Sequence, residues 1–183
     1  MSSPLSSWMA RLSVDYPERL KGIEKDRDEM MDLLANKGNE HERLFLDEMK
    51  QQYGPVNVAV INPNPKTAEH ATKEAMEKGY QVIFQAYLKR DAFAGFADFL
   101  VRREGDSDLG HYYYEAWDTK LSKTTKPYFV MQLCCYSWML EKAQGKLPEE
   151  AVVVLGDKKE DRLRLPAYSS YFNNLKAQFL VIQ

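Results

Sequence analysis

Short apolar runs alternate along this chain with clusters of turn-forming residues, and the spacing predicts helices and strands in mixed order. Val56–Ile61 reads as a short strand closed by the turn-rich Asn62-Pro63-Asn64-Pro65. Thr67 to Lys78 has helical character and stops at Gly79, a natural residue just past a helix end. A dense strand region follows. Val82–Leu88 is one strand, Lys89-Arg90-Asp91 a hairpin turn, and Phe93 to Arg102 the next strand. Gly105–Gly110 is a loop and His111 to Leu121 a third strand, all three antiparallel in sequence order. Pro127 suits the first turn of a helix that continues to Gln144 and ends at Gly145. That helix is apolar nearly all round, which predicts burial. Ala151–Leu155 is an unbroken β-branched run expected of a central strand, and Lys158–Arg162, mixed in sign, reads as a turn.

The ends are less regular. Residues 1–35 read as a helical lead-in, with Ser2, Ser3, Pro4, Ser6 and Ser7 as helix-start chemistry before Trp8–Leu12 and a charge-dense solvated stretch from Asp15 to Glu29. Gly38 interrupts, and His41–Met49 then has helical spacing up to Gly54-Pro55, although Leu44, Leu46 and Met49 make no single stripe. Tyr168 to Gln183 is an amphipathic helix whose apolar Phe179–Ile182 is followed by nothing to cover it, the expectation being a fragment of a longer protein.

Length and charge narrow the classes. The 183 residues suffice for one domain with a core, so 1–183 is read as a single domain. With 25 Lys and Arg against 27 Asp and Glu, the net charge of −2 excludes a polybasic binder that works through its bulk field, though not a local nucleic-acid groove. The two cysteines, Cys134 and Cys135, are adjacent and suit neither an ordinary disulfide nor a zinc cage. No apolar run approaches the ~20 residues of a membrane span, and the expected setting is a reducing, cytoplasmic one with no membrane partner.

Candidate chemistry concentrates in Gly95-Phe96-Ala97-Asp98 and Glu115-Ala116-Trp117-Asp118-Thr119-Lys120. Strand alternation puts Asp118 and Lys120 on one side, one pleat apart, and sends Glu115 to the other. A hairpin around 105–110 can set the Asp98 carboxylate beside that of Asp118. Two such carboxylates raise each other's pKa unless a cation intervenes, and a hard divalent ion such as Mg²⁺ takes oxygen donors. Lys120 on the same face can hold an attacking water or a scissile phosphate, which together describe metal-assisted phosphodiester hydrolysis. The competing reading is a surface ion pair of little energetic weight.

Gly-x-x-Asp ending at Asp98, then Asp118-x-Lys120, then Gln132-x-x-x-Tyr136 resembles the PD-(D/E)XK nuclease superfamily in its RecB-like branch, and Gly38-Asn39-Glu40-His41-Glu42 resembles the upstream motif of that branch. The resemblance runs from about residue 30 to the end. It implies an α/β fold with an αβββαβ core, a mixed central sheet flanked by helices. It also implies Mg²⁺ or Mn²⁺ held by Asp98, Asp118, His41 and the main-chain carbonyl of Thr119. Lys120 would orient or activate the water and stabilise developing negative charge on the phosphorane. Gln132 and Tyr136, on one helix face, would brace the site or touch the strand. Some relatives carry an iron–sulfur cluster on four cysteines; with two, no cluster is expected.

The resemblance further implies a DNA nuclease, preferably an exonuclease on single-stranded ends, sometimes joined to a superfamily 1 helicase. A catalytically silent nucleic-acid-binding module and an RNA-directed nuclease are the alternatives. Grip on a strand is expected from Lys120, Lys123 and Lys126, with Arg90, Arg102 and Arg103 at nearby strand ends, and Tyr128 or Trp138 could stack on unpaired bases unless the core takes them. His70 and His111 are given no role.

Overall fold

Six strands form one mixed sheet in simple sequence order, β1 to β6, in a computed structural model that describes residues 25–181. The strands are β1 (Val58–Val60), β2 (Val82–Arg90), β3 (Phe93–Ser107), β4 (Gly110–Thr119), β5 (Glu150–Val154) and β6 (Glu160–Arg164). The helices are α1 (Lys25–Tyr53), α2 (Pro65–Glu77), α3 (Pro127–Gln144) and α4 (Ser169–Val181). β2, β3 and β4 are successive antiparallel neighbours. The parallel pairs β1–β2 and β4–β5 are each joined through a helix, α2 and α3 respectively. The class is α/β, as expected, and the elements follow in the order α1, β1, α2, β2, β3, β4, α3, β5, β6, α4.

Two cores lie on opposite faces of the sheet. On one, Phe45, Leu46 and Met49 of α1 meet Val82, Phe99, Val101, Trp117, Val152 and Val154. The Phe45 ring is edge-on to Phe99 at 5.1 Å and stacked against Trp117 at 6.3 Å. On the other, α2, α3 and α4 cover Ile83, Ala86, Leu100, Tyr114, Ala116 and Val153. α3 is buried along most of its length, as its composition predicts, and Gly145 ends it at φ 68° in the left-handed region that glycine tolerates.

Several boundaries differ from expectation. α1 runs unbroken through Gly38, where a Cβ would meet only open space; one glycine costs a long helix about 1 kcal/mol, which docking of its far end offsets. Its buried stripe is Phe45, Leu46 and Met49, while Leu44 is exposed. The residues expected to form the first hairpin turn continue β2 to Arg90, and Asp91, at φ 54°, begins the turn. The expected 105–110 loop is mostly strand, with β3 extending to Ser107. Lys158–Arg162, read as a turn, supplies the start of β6: Leu163 is buried while its neighbours are solvated, the pattern of a short charged edge strand. Val56 falls in a 3₁₀ turn (Pro55–Asn57) ahead of β1. The expectations for residues 1–24, the helix start at 8–12 and the charge-dense stretch from 15 onward among them, lie outside the described residues.

Candidate active site

β2 and β3 turn over together at one level of the sheet. Val82 and Phe84 pack toward α1, whereas Ala86 and Leu88 pack toward α3. On β3, Phe99 and Val101 face α1, while Ala97 faces α3. The pairing runs Phe84 with Phe99 and Ala86 with Ala97, skipping Gln85 and Asp98 between them. Gln85 has φ 56°, a conformation rare for a side-chain-bearing residue, and this flips the strand. Beyond the Phe99–Trp117 pair the β3–β4 ladder stops, while β4 continues beside β5 through Asp118–Val153 and Thr119–Val154. The sheet therefore forks, and Asp98 lies in the fork across from Asp118.

Hydrogen bonds fix Asp98 there. Its Oδ2 accepts from the Thr119 N–H at 3.0 Å and from the Thr119 hydroxyl at 3.3 Å, replacing the missing ladder bond. Asp118 is 1% exposed. Lys120 Nζ forms an ion pair with Asp118 Oδ2 at 2.6 Å, while Asp118 Oδ1 is buried with no hydrogen-bond partner. Burial first, and then the charge of Asp98, push the Asp118 carboxyl well above the usual carboxylate range, with Lys120 opposing. Burial works to lower the pKa of Lys120, yet the carboxylates of Asp118 and Asp98 outweigh it and the value is raised. Its ammonium lies 5.4 Å from the centre of the Phe129 ring, at the start of α3.

Glu42 is a member of this cluster to which the sequence motifs assign no role. One helical turn ahead of Phe45 and Leu46, it is carried to the sheet by the same stripe and accepts a hydrogen bond from Gln85 Nε2. Burial and the charge of Asp98 raise its pKa to about 7, against the Gln85 bond and Lys120. The available signal was a carboxylate on the docking stripe of a helix, together with one polar residue, Gln85, inside the apolar run Val82–Leu88.

His41, the neighbour that the resemblance favoured, is half-buried with its Nε2 buried and unpartnered. Among the described residues no three His, Cys, Asp or Glu groups stand together as a ready metal cage. The donor chemistry nonetheless fits a hard divalent cation: clustered carboxylates, with Asp118 Oδ1 buried and unpartnered. Such an ion would draw first on Asp98 and Asp118.

Tyr136 is buried and donates to the Phe96 carbonyl at 2.6 Å, with Gln132 Nε2 3.5 Å from its hydroxyl. It braces β3 two residues before Asp98 and has no exposed edge for a strand. Burial, then the Asp98 and Asp118 charges, hold its phenol neutral. Glu115 lies on the far face of β4, as alternation predicts, bound to Arg103 at 2.8 Å.

The expected arginine patch is occupied by structural work. Arg90 binds Glu141 and the Trp138 carbonyl, each at 2.7 Å, and lies over the Trp138 ring. Arg102 donates to the Gly79 carbonyl and covers Tyr112. Trp138 also packs against Phe93 and Phe172. Lys123, Lys126 and Tyr128 remain exposed. Cys134 and Cys135 are buried and free, and burial pushes their thiols up to about 11 and about 12. Among the described residues no helix is long and apolar enough to cross a membrane. The chain matches no protein-family model and no curated protein sequence.

Proposed function

We propose that this chain is a metal-dependent nuclease that hydrolyses phosphodiester bonds of DNA, in the manner of the RecB-like nucleases its motifs resemble, with single-stranded ends as preferred substrate. The observation that carries the reading is Asp118: a fully buried carboxylate ion-paired with Lys120 through Oδ2, its Oδ1 unpartnered, facing Asp98 across a fork in the sheet. Taking such charges out of water costs several kcal/mol per ion, which a single ion pair offsets only in part.

Bound at Asp98 and Asp118, Mg²⁺ or Mn²⁺ would supply Lewis-acid polarisation and a water of lowered pKa. Each residue then has a separate task. Thr119 fixes the rotamer of Asp98, and Tyr136 with Gln132 fixes the β3 backbone that carries it. Lys120, held protonated by its two carboxylate neighbours, acts as a donor to phosphate or water oxygen and not as a base. Glu42, poised near neutrality, adds an acceptor on the α1 side of the fork.

The test is cleavage of end-labelled single- and double-stranded DNA in Mg²⁺, Mn²⁺ or EDTA. Metal-dependent cutting is expected, with Asp118→Ala and Lys120→Ala each lowering the rate at least a hundredfold. Folded protein that cuts with neither metal, or cuts equally in EDTA, overturns the reading.

A further inference from the structure

The segment from Lys120 to Tyr128 leaves the site along the surface and carries three lysines, Lys120, Lys123 and Lys126, with no acidic residue. It is held in shape. The Ser122 hydroxyl donates to the Thr124 carbonyl at 2.7 Å, Gly156 N–H donates to the Ser122 carbonyl at 3.0 Å, and the Thr125 hydroxyl bonds Asp161. Gly156 permits this approach: a Cβ there would lie 2.3 Å from the Leu121 carbonyl oxygen. The segment ends in Tyr128, which is 48% exposed.

Of the two aromatics considered for stacking, only Tyr128 is available. Trp138 is enclosed by Arg90, Lys176, Phe93 and Phe172. The Tyr128 ring is 4.4 Å from that of Phe129, in an edge-on arrangement. Phe129 is buried and lies under the Lys120 ammonium, so the exposed ring stands one ring away from the lysine of the site. A large, half-exposed aromatic beside a run of lysines matches the chemistry of an unpaired nucleotide chain, whose phosphates take the cations and whose bases present a flat face. A paired base cannot offer that face without being unstacked.

We propose that Tyr128 is the stacking platform for an unpaired base next to the scissile phosphate, and that it sets a preference for single strands. The inference rests on the nuclease reading for the position of that phosphate. Its test uses binding, so that the two can fail separately.

The full chain is titrated into a labelled short oligothymidylate, the same oligomer with abasic sites, and a duplex of equal length, in Ca²⁺ to screen the carboxylates, with intact DNA verified afterwards. Tyr128→Phe is expected to bind as wild type does. Tyr128→Ala should bind the single strand about tenfold more weakly, with duplex affinity held within about twofold, and wild type should lose a comparable factor on the abasic oligomer. Equal losses on single strand and duplex, no loss in Tyr128→Ala, indifference to abasic sites, or no binding by wild type each overturn the proposal. A wild type that binds through Tyr128 but cuts nothing in Mg²⁺ or Mn²⁺ overturns the nuclease reading and leaves Tyr128 as a base-stacking platform of a binding module.

Discussion

Glu42 shows how one residue's placement turns into a measurable pH dependence. Its pKa stands at about 7 in the folded chain against an ordinary 4.5, because it is buried and faces Asp98. Between those values the folded chain binds more protons than the unfolded chain, so stability falls as pH rises. The contribution is fully present below the unfolded value and is lost by the folded one. Asp118, also raised, acts in the same direction. In EDTA, the melting temperature is expected to drop as pH rises from 4.5 to about 7. Glu42→Gln should remove part of that slope while keeping the hydrogen-bond contact to Gln85. A melting profile in which the variant keeps the whole slope would show that Glu42 does not face Asp98 as described. Lys120 and Asp118 alone would not have pointed to Glu42; only the helix stripe brings it within reach.

At the scale of the elements, the fork depends on β4 having a different partner at each level. β4 pairs with β5 only from Trp117 to Thr119, so further back its edge faces no strand. Gln144, at the end of α3 and fully buried, fills that gap. Its side chain accepts from the Tyr114 N–H at 2.8 Å and donates to the Tyr114 carbonyl at 3.1 Å, mimicking a strand. Gln144→Leu keeps the volume and strands both main-chain groups, which predicts a loss of about 3 kcal/mol by urea denaturation. A loss below about 1 kcal/mol would mean the edge is satisfied otherwise. α3 was readable in sequence from Pro127 to Gly145, and so was the order of the three antiparallel strands, because long apolar runs and turn residues are local signals. β6 was not, since a charged edge strand has one buried residue, Leu163, and its pairing with β5 is set by tertiary contact. Asp98 and Asp118 were legible as a pair through strand order. The joint reversal at Gln85 and Asp98 was not, because nothing in a single strand's alternation announces a flip shared by two.

For the whole molecule, the site joins three layers: Glu42 from the α1 layer, the aspartates from the sheet, and Lys120 resting on Phe129 of α3. Such a site is assembled only while both helical layers are docked. The sheet couples them, since neighbouring residues of one strand serve opposite cores: Val82 and Ile83, Leu100 and Val101, Val152 and Val153. Undocking α1 would expose Phe99 and Trp117 while the other core stayed intact, and about 25 cal/mol per Å² of apolar surface opposes it. One cooperative transition is therefore expected. The tryptophans report the layers separately, Trp117 in the α1-side core and Trp138 on α3, against Phe93 and Phe172 of α4; Trp8, outside the described residues, is replaced by Phe. In chains keeping only Trp117 or only Trp138, the urea midpoint by fluorescence should coincide with that by far-ultraviolet circular dichroism, variant by variant. A Trp117 signal that moves at lower urea than its own dichroism would show α1 leaving first. Glu42 would then join the site by a docking equilibrium, and cleavage would fall in step with that early transition while most of the sheet survived.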